Sequence, residues 1–415
     1  MRTIIINYLD MSNLGGIEKC ILKLAIYANN HDIRFIWMHE KTLNIAKSFK
    51  SVLLGPKVER VSVCSRDIHW FKHEKIQFHE GEKAIIVSFD PIGMARAEQF
   101  IIENPQTDII PIYAIPDVTG NGYYLERFFN GYLYSLIKKR LNNIFVKWEN
   151  AGQLRFFAKS QITALERNYN IKISDKVDKV IKPVEAPPKL DLILLEKRVL
   201  RNPFSIITVS RFDFPYKGYI LGLVRAYGRL KKKYDNIKLD IIGYGLGERE
   251  LKGVINQLPE EVKSGITLHG EVSPIQINKY FEKASLNIGV SGAVFDGAKN
   301  GVLSIIARNW YQEECEVYGF LSKENRHMTT ASSEGTIVDG LIEDVINMSD
   351  DEYKKLCIES YNMCNNDADP LYLWHTDAKS GNQSFNKLDL LFMKLLSYLS
   401  KIVARIPQFS KMKND

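Results

Sequence analysis

Short apolar runs alternate with longer mixed segments through the first half of the chain. The runs TIIIN (3–7), IRFIWMH (33–39), AIIVSF (84–89) and DIIPIYAI (108–115) read as buried strands, because near-continuous apolar residues mark strands covered on both faces. Between them, IEKCILKLAIYANN (17–30) sets Ile21, Leu22, Leu24, Ala25 and Tyr27 along one helical face. Strands alternating with helical stretches predict a parallel sheet with crossover helices. Pro183, Pro187 and Pro188 in KPVEAPPKLDL interrupt the pattern. They favour extended chain and deny a helix, which predicts a linker over 184–202. The alternation then restarts with FSIITVS (204–210), a helix over 219–234, KLDIIGYG (238–245), a helix over 247–258, ITLHG (266–270), a helix over 274–284 and SLNIGVS (285–291). That is three strand–helix units and a fourth strand, a second doubly wound domain.

A chain of 415 residues is too long for one ordinary core, which agrees with two domains. The 45% hydrophobic and 25% charged content is that of a soluble globular protein. A net charge of +7 suits anionic ligands or a membrane surface and falls short of a nucleic-acid footprint. Five cysteines without a CxxC pair fit a reducing cytosol. The apolar core of the N-terminus is too short for a signal peptide, and no run reaches the ~18 residues of a span. The expected place is the cytoplasm, with the inner face of the membrane open to it.

Chemistry concentrates at the strand ends of the second half, where open α/β sheets bind ligands. In VSRFDFPYKG, Arg211 follows a strand and Lys217, six residues on, opens the next helix. An arginine can grip one phosphate with two parallel bonds, and a lysine supplies a point charge to another. Two cations on a basic surface loop would read the same way by spacing alone. The next strand ends in GYGLGERE, whose Gly243 and Gly245 permit close backbone approach to a ligand or a plain turn into a helix.

The order strand–Arg–x5–Lys–Gly–helix, strand–GxG–helix, LHGEVS and LNIGVS resembles the donor domain of retaining glycosyltransferases of the GT-B type that build bacterial polysaccharides. NLGGIEK (13–19) looks like that family's Gly-Gly loop, and DKVDKVIKPVEAP like its strand into the linker. The resemblance implies an α/β fold of two Rossmann-like domains facing a central cleft. Its domains would be 1–183 for the acceptor, 203–365 for the donor after the linker, and 366–415 as a C-terminal segment. It implies that Arg211 and Lys217 hold the donor diphosphate and stabilise its departure, with Gly15 and Gly16 approaching from the other domain. It implies no protein nucleophile, no cofactor and no essential metal.

The chain departs from the family in two places. Where two glutamates eight positions apart are usual, FDGAKNGVLSIIARN puts Asp296 and Ser304. Asp296 can accept sugar hydroxyls; Ser304 can bond ribose but lacks charge-assisted bonds of ~1.5–3 kcal/mol each. Asn300, Gly301 and Val302 offer backbone N–H groups ahead of a helix-like run. Where a histidine is usual, YAIPDV has Pro116 followed by Asp117, an acceptor that can substitute in the catalytic role. Asp117, and Asp90 at another strand end, equally suit helix caps or turns.

His69, His73 and His79 lack the partners of a metal motif, and DAD (367–369) lies away from any strand end. The segment 388–409 carries Lys394, Ser397, Lys401 and Arg405 as a polar stripe against apolar residues. Such a helix fits a lipid interface or packing on the first domain, and 133–145 is a second basic amphipathic stretch. The reading that results is transfer of a hexose-type sugar from a nucleotide-diphosphate donor, with retention, to a growing, lipid-linked surface glycan. The rival readings are a non-catalytic nucleotide-sugar-binding partner subunit and a nucleotide-sugar epimerase.

Overall fold

The structure, a computed structural model, describes residues 2–12, 15–41, 45–64, 71–115, 131–157, 159–176, 179–181, 187–308, 313–322, 335–364 and 385–404. The chain forms two units, Met1–Glu185 with Asp369–Asp415, and Ala186–Ala368. The first is built on β1 (Arg2–Asn7), β2 (Arg34–Glu40), β3 (Val58–Cys64), β4 (Lys72–His73), β5 (Lys83–Ser88), β6 (Asp108–Ile115) and β7 (Leu154–Phe156). Their order is β4-β3-β2-β1-β5-β6-β7, parallel except for β4, which runs antiparallel to β3. In β1, every residue after Arg2 is buried, the burial that a sheet covered on both faces requires. The helix Gly16–Asn30 packs Ile21, Leu22, Leu24, Ala25 and Ala28 onto one face of this sheet. The helices Pro91–Glu103, Tyr132–Asn150 and Lys159–Tyr169 cover the other.

The second sheet holds β8 (Phe204–Val209), β9 (Ile237–Ile242), β10 (Ile266–Gly270), β11 (Leu286–Gly289), β12 (Leu303–Ala307), β13 (Glu316–Phe320) and β14 (Thr336–Ile337), in the order β10-β9-β8-β11-β12-β13-β14. It is parallel from β10 to β12, and β13 and β14 are antiparallel additions. In both sheets the strand order reverses beside the first strand of the unit, at β1/β5 and at β8/β11. These switch points leave a crevice beyond the strand ends, the general ligand position of such sheets.

Two expectations are corrected here. The stretch 184–202, expected as a linker, contains the helix Leu192–Val199, capped by Asp191 through the Leu194 N–H at 3.0 Å. Leu195 and Val199 enter the second core. Arg198 is buried and donates to the carbonyls of Ala284 at 2.8 Å, Gly301 at 2.9 Å and Phe281 at 3.0 Å. The prolines deny a helix only up to Pro188, and the apolar residues after it have a core to join. The helix-like run after Val302 is the strand β12, paired with β11 from Leu286↔Leu303 to Gly289↔Ile306.

The C-terminal helix Lys387–Ala404 returns to the first unit. Met393 and Leu396 join its core, and the Phe385 ring stacks on Trp148 at 5.9 Å. Asn386 and Asp389 exchange backbone–side-chain bonds of 2.9 and 3.2 Å, a reciprocal cap at the helix start. The buried Asp389 then takes Arg140 at 2.8 Å and Lys147 at 2.5 Å from the helix Tyr132–Asn150. No helix among the described residues is long and apolar enough to cross a membrane.

Beneath this junction Glu98 is buried, accepting from the Tyr113 hydroxyl at 2.6 Å and the Trp148 indole at 3.1 Å. Burial pushes its carboxyl up to about 7, with nearby Asp389 adding to the shift and the two donors opposing it. A folded pKa above the ordinary value of 4.5 means that the folded chain binds this proton more tightly. Its contribution to stability is therefore full below about pH 4.5 and lost as pH rises through about 7. Glu98→Gln keeps an acceptor for both donors and cannot ionise. Thermal melts should show the wild-type Tm falling relative to the variant between about pH 5 and about pH 8; parallel profiles would show that Glu98 does not titrate there.

Candidate functional site

The loop from Ser210 to Gly218 leaves β8 at the switch point and is laced to the neighbouring strand ends by its main chain. The Ser210 N–H reaches the Ile242 carbonyl at 3.0 Å, and the Phe212 N–H reaches Tyr244 at 2.8 Å. The Phe212 carbonyl in turn accepts from the Gly247 N–H at 3.0 Å, and the Gly243 N–H reaches Gly270 at 2.9 Å. This lacing explains the glycines. A Cβ at Gly243, where φ is +155°, would lie 1.8 Å from the Ser210 carbonyl oxygen. One at Gly245, where φ is +149°, would lie 2.5 Å from that of Phe212. Both glycines admit another stretch of backbone, so their observed task is to seat the basic loop.

On that loop Arg211 is half-exposed and binds Asp213, its guanidinium 2.7 Å from the carboxylate. The Asp213 carbonyl accepts the Lys217 N–H at 2.7 Å, tying the two ends of the motif to one residue. The Lys217 ammonium sits 4.8 Å from the centre of the Tyr216 ring, a cation–π distance. The helix Tyr219–Lys231 begins two residues later. Arg211, Lys217, Gly243 and Gly245 thus form one main-chain-bonded assembly. Sequence reasoning missed Asp213, although its place between the two cations of the motif was the available signal.

The residues expected on the other side of the switch point behave differently. Asp296 lies on the helix Gly292–Ala298 and pairs with Lys299 at 2.8 Å. The N–H groups of Asn300, Gly301 and Val302, expected to face a phosphate, are spent within the turn. They donate to Gly297 at 3.0 Å, Ala298 at 2.9 Å and Gly297 at 3.2 Å respectively. With Gly301 at φ +70° this is a Schellman closure of a helix C-terminus. That end of a helix carries negative partial charge and repels phosphate. Ser304 is corrected as well: it lies within β12, fully buried, with its hydroxyl donating to the Val302 carbonyl at 3.0 Å. It also accepts from Asn287 at 3.2 Å, so the ribose contact expected of it does not fit this position.

At the same switch point Ser291 follows β11 with φ +50° and ψ −130°, a strained conformation for a residue with a side chain. Such strain marks a position held by its surroundings, and only the backbone reveals it. The apolar cluster of Val209, Ile242, Ile277, Ala293 and Val302 fixes this turn against the ends of β8 and β9.

In the first unit Gly15 caps the helix Gly16–Asn30 in extended conformation. The space that a side chain at Gly15 would take is filled by Glu18, whose carboxylate oxygen would lie 2.2 Å from that Cβ. Glu18 is buried and accepts from the Tyr8 hydroxyl at 2.9 Å, while a Cβ at Gly16 would meet nothing within 4 Å. Burial, with the Glu18 carboxylate beside it, pushes the Tyr8 phenol well up. Asp117 and its neighbour Pro116 lie outside the described residues. Asp90 is a helix cap, accepting the Gly93 N–H at 2.8 Å. His73 pairs with Glu103 at 3.0 Å, and His69 and the segment 367–369 lie outside the described residues. Among the described residues, no three His, Cys, Asp or Glu side chains gather as a metal cluster.

No protein-family model matches the sequence, and no curated protein sequence matches it either. Solved structures do match. HepE of Anabaena, determined with UDP and glucose, is similar at a TM-score of 0.54 and 12% identity, over 97% of this chain and 100% of its own. WaaG, a glycosyltransferase involved in lipopolysaccharide biosynthesis, is similar at 0.51 and 11% identity, over 92% of this chain and 100% of its own. A glycosyltransferase from Rickettsia africae is similar at 0.51 and 14%, over 98% and 99%. At these identities the likeness establishes the fold: α/β of the GT-B type, with two Rossmann-like domains.

Gly243→Ala tests the seating of the loop. The added methyl cannot coexist with the Ser210 carbonyl, and its φ is unfavourable for alanine. The variant should lose about 1–3 kcal/mol in urea unfolding. Gly253→Ala, on an open helical face where a Cβ meets nothing within 4 Å, should not lose stability. Equal behaviour of the two would show that the lacing does not constrain the loop.

Proposed function

We propose that the protein is a retaining glycosyltransferase that moves a hexose-type sugar from a nucleoside-diphosphate donor to a growing, lipid-linked surface glycan on the cytoplasmic face of the membrane. The observation that carries this reading is the basic loop Ser210–Gly218, fixed at a switch point with Arg211 and Lys217 on it. The donor assignment is further supported by the fold, and by HepE, a neighbour of that fold determined with UDP and glucose. When the bond from the sugar to the diphosphate breaks, its electron pair leaves on a phosphate oxygen. Arg211 and Lys217 oppose that charge from positions set before the reaction begins. The acceptor hydroxyl attacks from the side that the diphosphate leaves and passes its proton to the departing phosphate, which retains the sugar's configuration. Asp296 orients sugar hydroxyls, Asp117 takes the catalytic acceptor role, and Gly15 and Gly16 contribute to donor binding. In this reading Arg211 and Lys217 supply the charge that neutralises the diphosphate, and turnover needs no metal.

A second reading is favoured by one observation. Ser304 is sealed in a strand and the N–H groups of 300–302 are spent, so the donor side lacks part of the expected ribose grip. A non-catalytic nucleotide-sugar-binding subunit would tolerate that loss more readily than an enzyme.

Thermal-shift measurements with UDP-, GDP-, dTDP- and ADP-sugars should single out one base. A ligand at a hundred times its Kd adds ~2.7 kcal/mol of stability. With that donor and an acceptor, Lys217→Ala should lower kcat by about 10²–10³. A wild-type protein that binds the donor but never turns it over would establish the second reading. Sugar conversion without any acceptor would make it an epimerase.

A further inference from the structure

The C-terminal helix has two faces of opposite fate. Asp389, Met393 and Leu396 point into the first unit, whereas Leu388, Leu391, Leu395 and Tyr398 are 66%, 53%, 56% and 58% exposed. Their spacing of three, four and three residues makes one row along the outer face, about 15 Å long at helical rise. The neighbouring helix Tyr132–Asn150 repeats the pattern. Ile137, Leu141, Ile144, Phe145 and Trp148 are buried in the same core, while Tyr132, Leu136 and Val146 are exposed at 80%, 46% and 37%. Asp389 joins the two helices edge to edge through Arg140 and Lys147. Leu136 lies one turn from Arg140 and Leu388 beside Asp389, so exposed apolar positions of both helices flank the ion pair that joins them.

Charge decides what could cover that surface. Residues 132–148 include Lys138, Lys139, Arg140 and Lys147 and no acidic residue. Residues 387–398 include Lys387 and Lys394, and their one acid, Asp389, is buried against the two cations. A second copy of the chain would bring the same cations against these, and like charges would oppose the contact. An anionic lipid surface accepts the cations that Asp389 does not hold, takes the leucines below its headgroups and suits tyrosines at the boundary.

We infer that the outer face of the helices Tyr132–Asn150 and Lys387–Ala404 is a docking surface for anionic phospholipid bilayers. The inference deepens the membrane-side reaction proposed above and rests on it for its purpose, yet its test reads lipid binding alone. The helices lie flat with their leucine rows in the headgroup region, and Lys138, Lys139 and Lys387 contact lipid phosphates while Arg140 and Lys147 stay with Asp389. Each cation near such a surface contributes about fivefold to partitioning, a contribution weakened by salt.

Flotation of the full chain with vesicles of phosphatidylcholine and phosphatidylglycerol should show binding that falls with added salt. Pure phosphatidylcholine vesicles should bind at least about tenfold more weakly. Leu391→Glu with Leu395→Glu, both outside the core, should lower binding at least about tenfold with the Tm unchanged. Leu192→Glu with Ile193→Glu, at exposed apolar positions of the second unit, should leave binding intact. Absence of vesicle binding, equal binding by the Leu391/Leu395 variant, or a dimer in light scattering that this variant abolishes would overturn the proposal. Vesicle binding without any donor-induced stabilisation would sink the glycosyltransferase reading and leave this surface standing.

Discussion

Phe212 is bonded on both sides of its peptide unit to the loop that follows the next strand. Its N–H reaches Tyr244, and its carbonyl takes the N–H of Gly247. A loop carrying two cations at the end of a strand would otherwise be free to swing into water. Here its main chain is an extension of the sheet, so Arg211 and Lys217 depart from fixed points. The glycines at 243 and 245 are the condition for this, because any larger residue would collide with the loop's own carbonyls. Rigid placement before the ligand arrives is what makes an electrostatic site effective, since no reorganisation is needed when charge develops.

In each unit, internal carboxylates occupy the groups from which an anion could be bound. Arg211 holds Asp213, Lys299 holds Asp296, and Glu18 lies over Gly15 at a helix start. Each arrangement satisfies a charge or a helix dipole from within the chain. Any anion approaching Arg211 would compete with Asp213 for its guanidinium. Both residues of that pair are substantially exposed, and pairs of this kind are worth little; the exchange is therefore easy.

The junction of the C-terminal helix with the first unit is the opposite case. Asp389 is buried and takes two cations, and Phe385 stacks on Trp148 above the buried carboxyl of Glu98. Removing either part would leave charged or polar groups without partners in the interior, which is expensive. The last helix, which packs along the helix Pro91–Glu103, is thus tied near its start to the helix Tyr132–Asn150, and exposed apolar residues of both helices flank that tie.

The sequence by itself determined the doubly wound architecture. In a parallel sheet covered on both faces, a strand must be apolar throughout, and runs such as TIIIN and FSIITVS satisfy that condition locally. It also determined the basic motif, because Arg211 and Lys217 flank a turn at the end of such a run. Tertiary structure alone decided the fate of 296–304. The run LSIIA after Val302, four apolar residues and a serine, fits a helix or a strand by period, and only pairing with β11 makes it a strand. That pairing buries Ser304 and turns Asn300–Val302 into a helix terminus whose N–H groups are used up. The helix at 192–199 was hidden in the same way, since its apolar residues declare nothing until a core is there to receive them. Spacing records which residues recur on one side of an element; which side meets another element is a long-range fact that no local pattern contains.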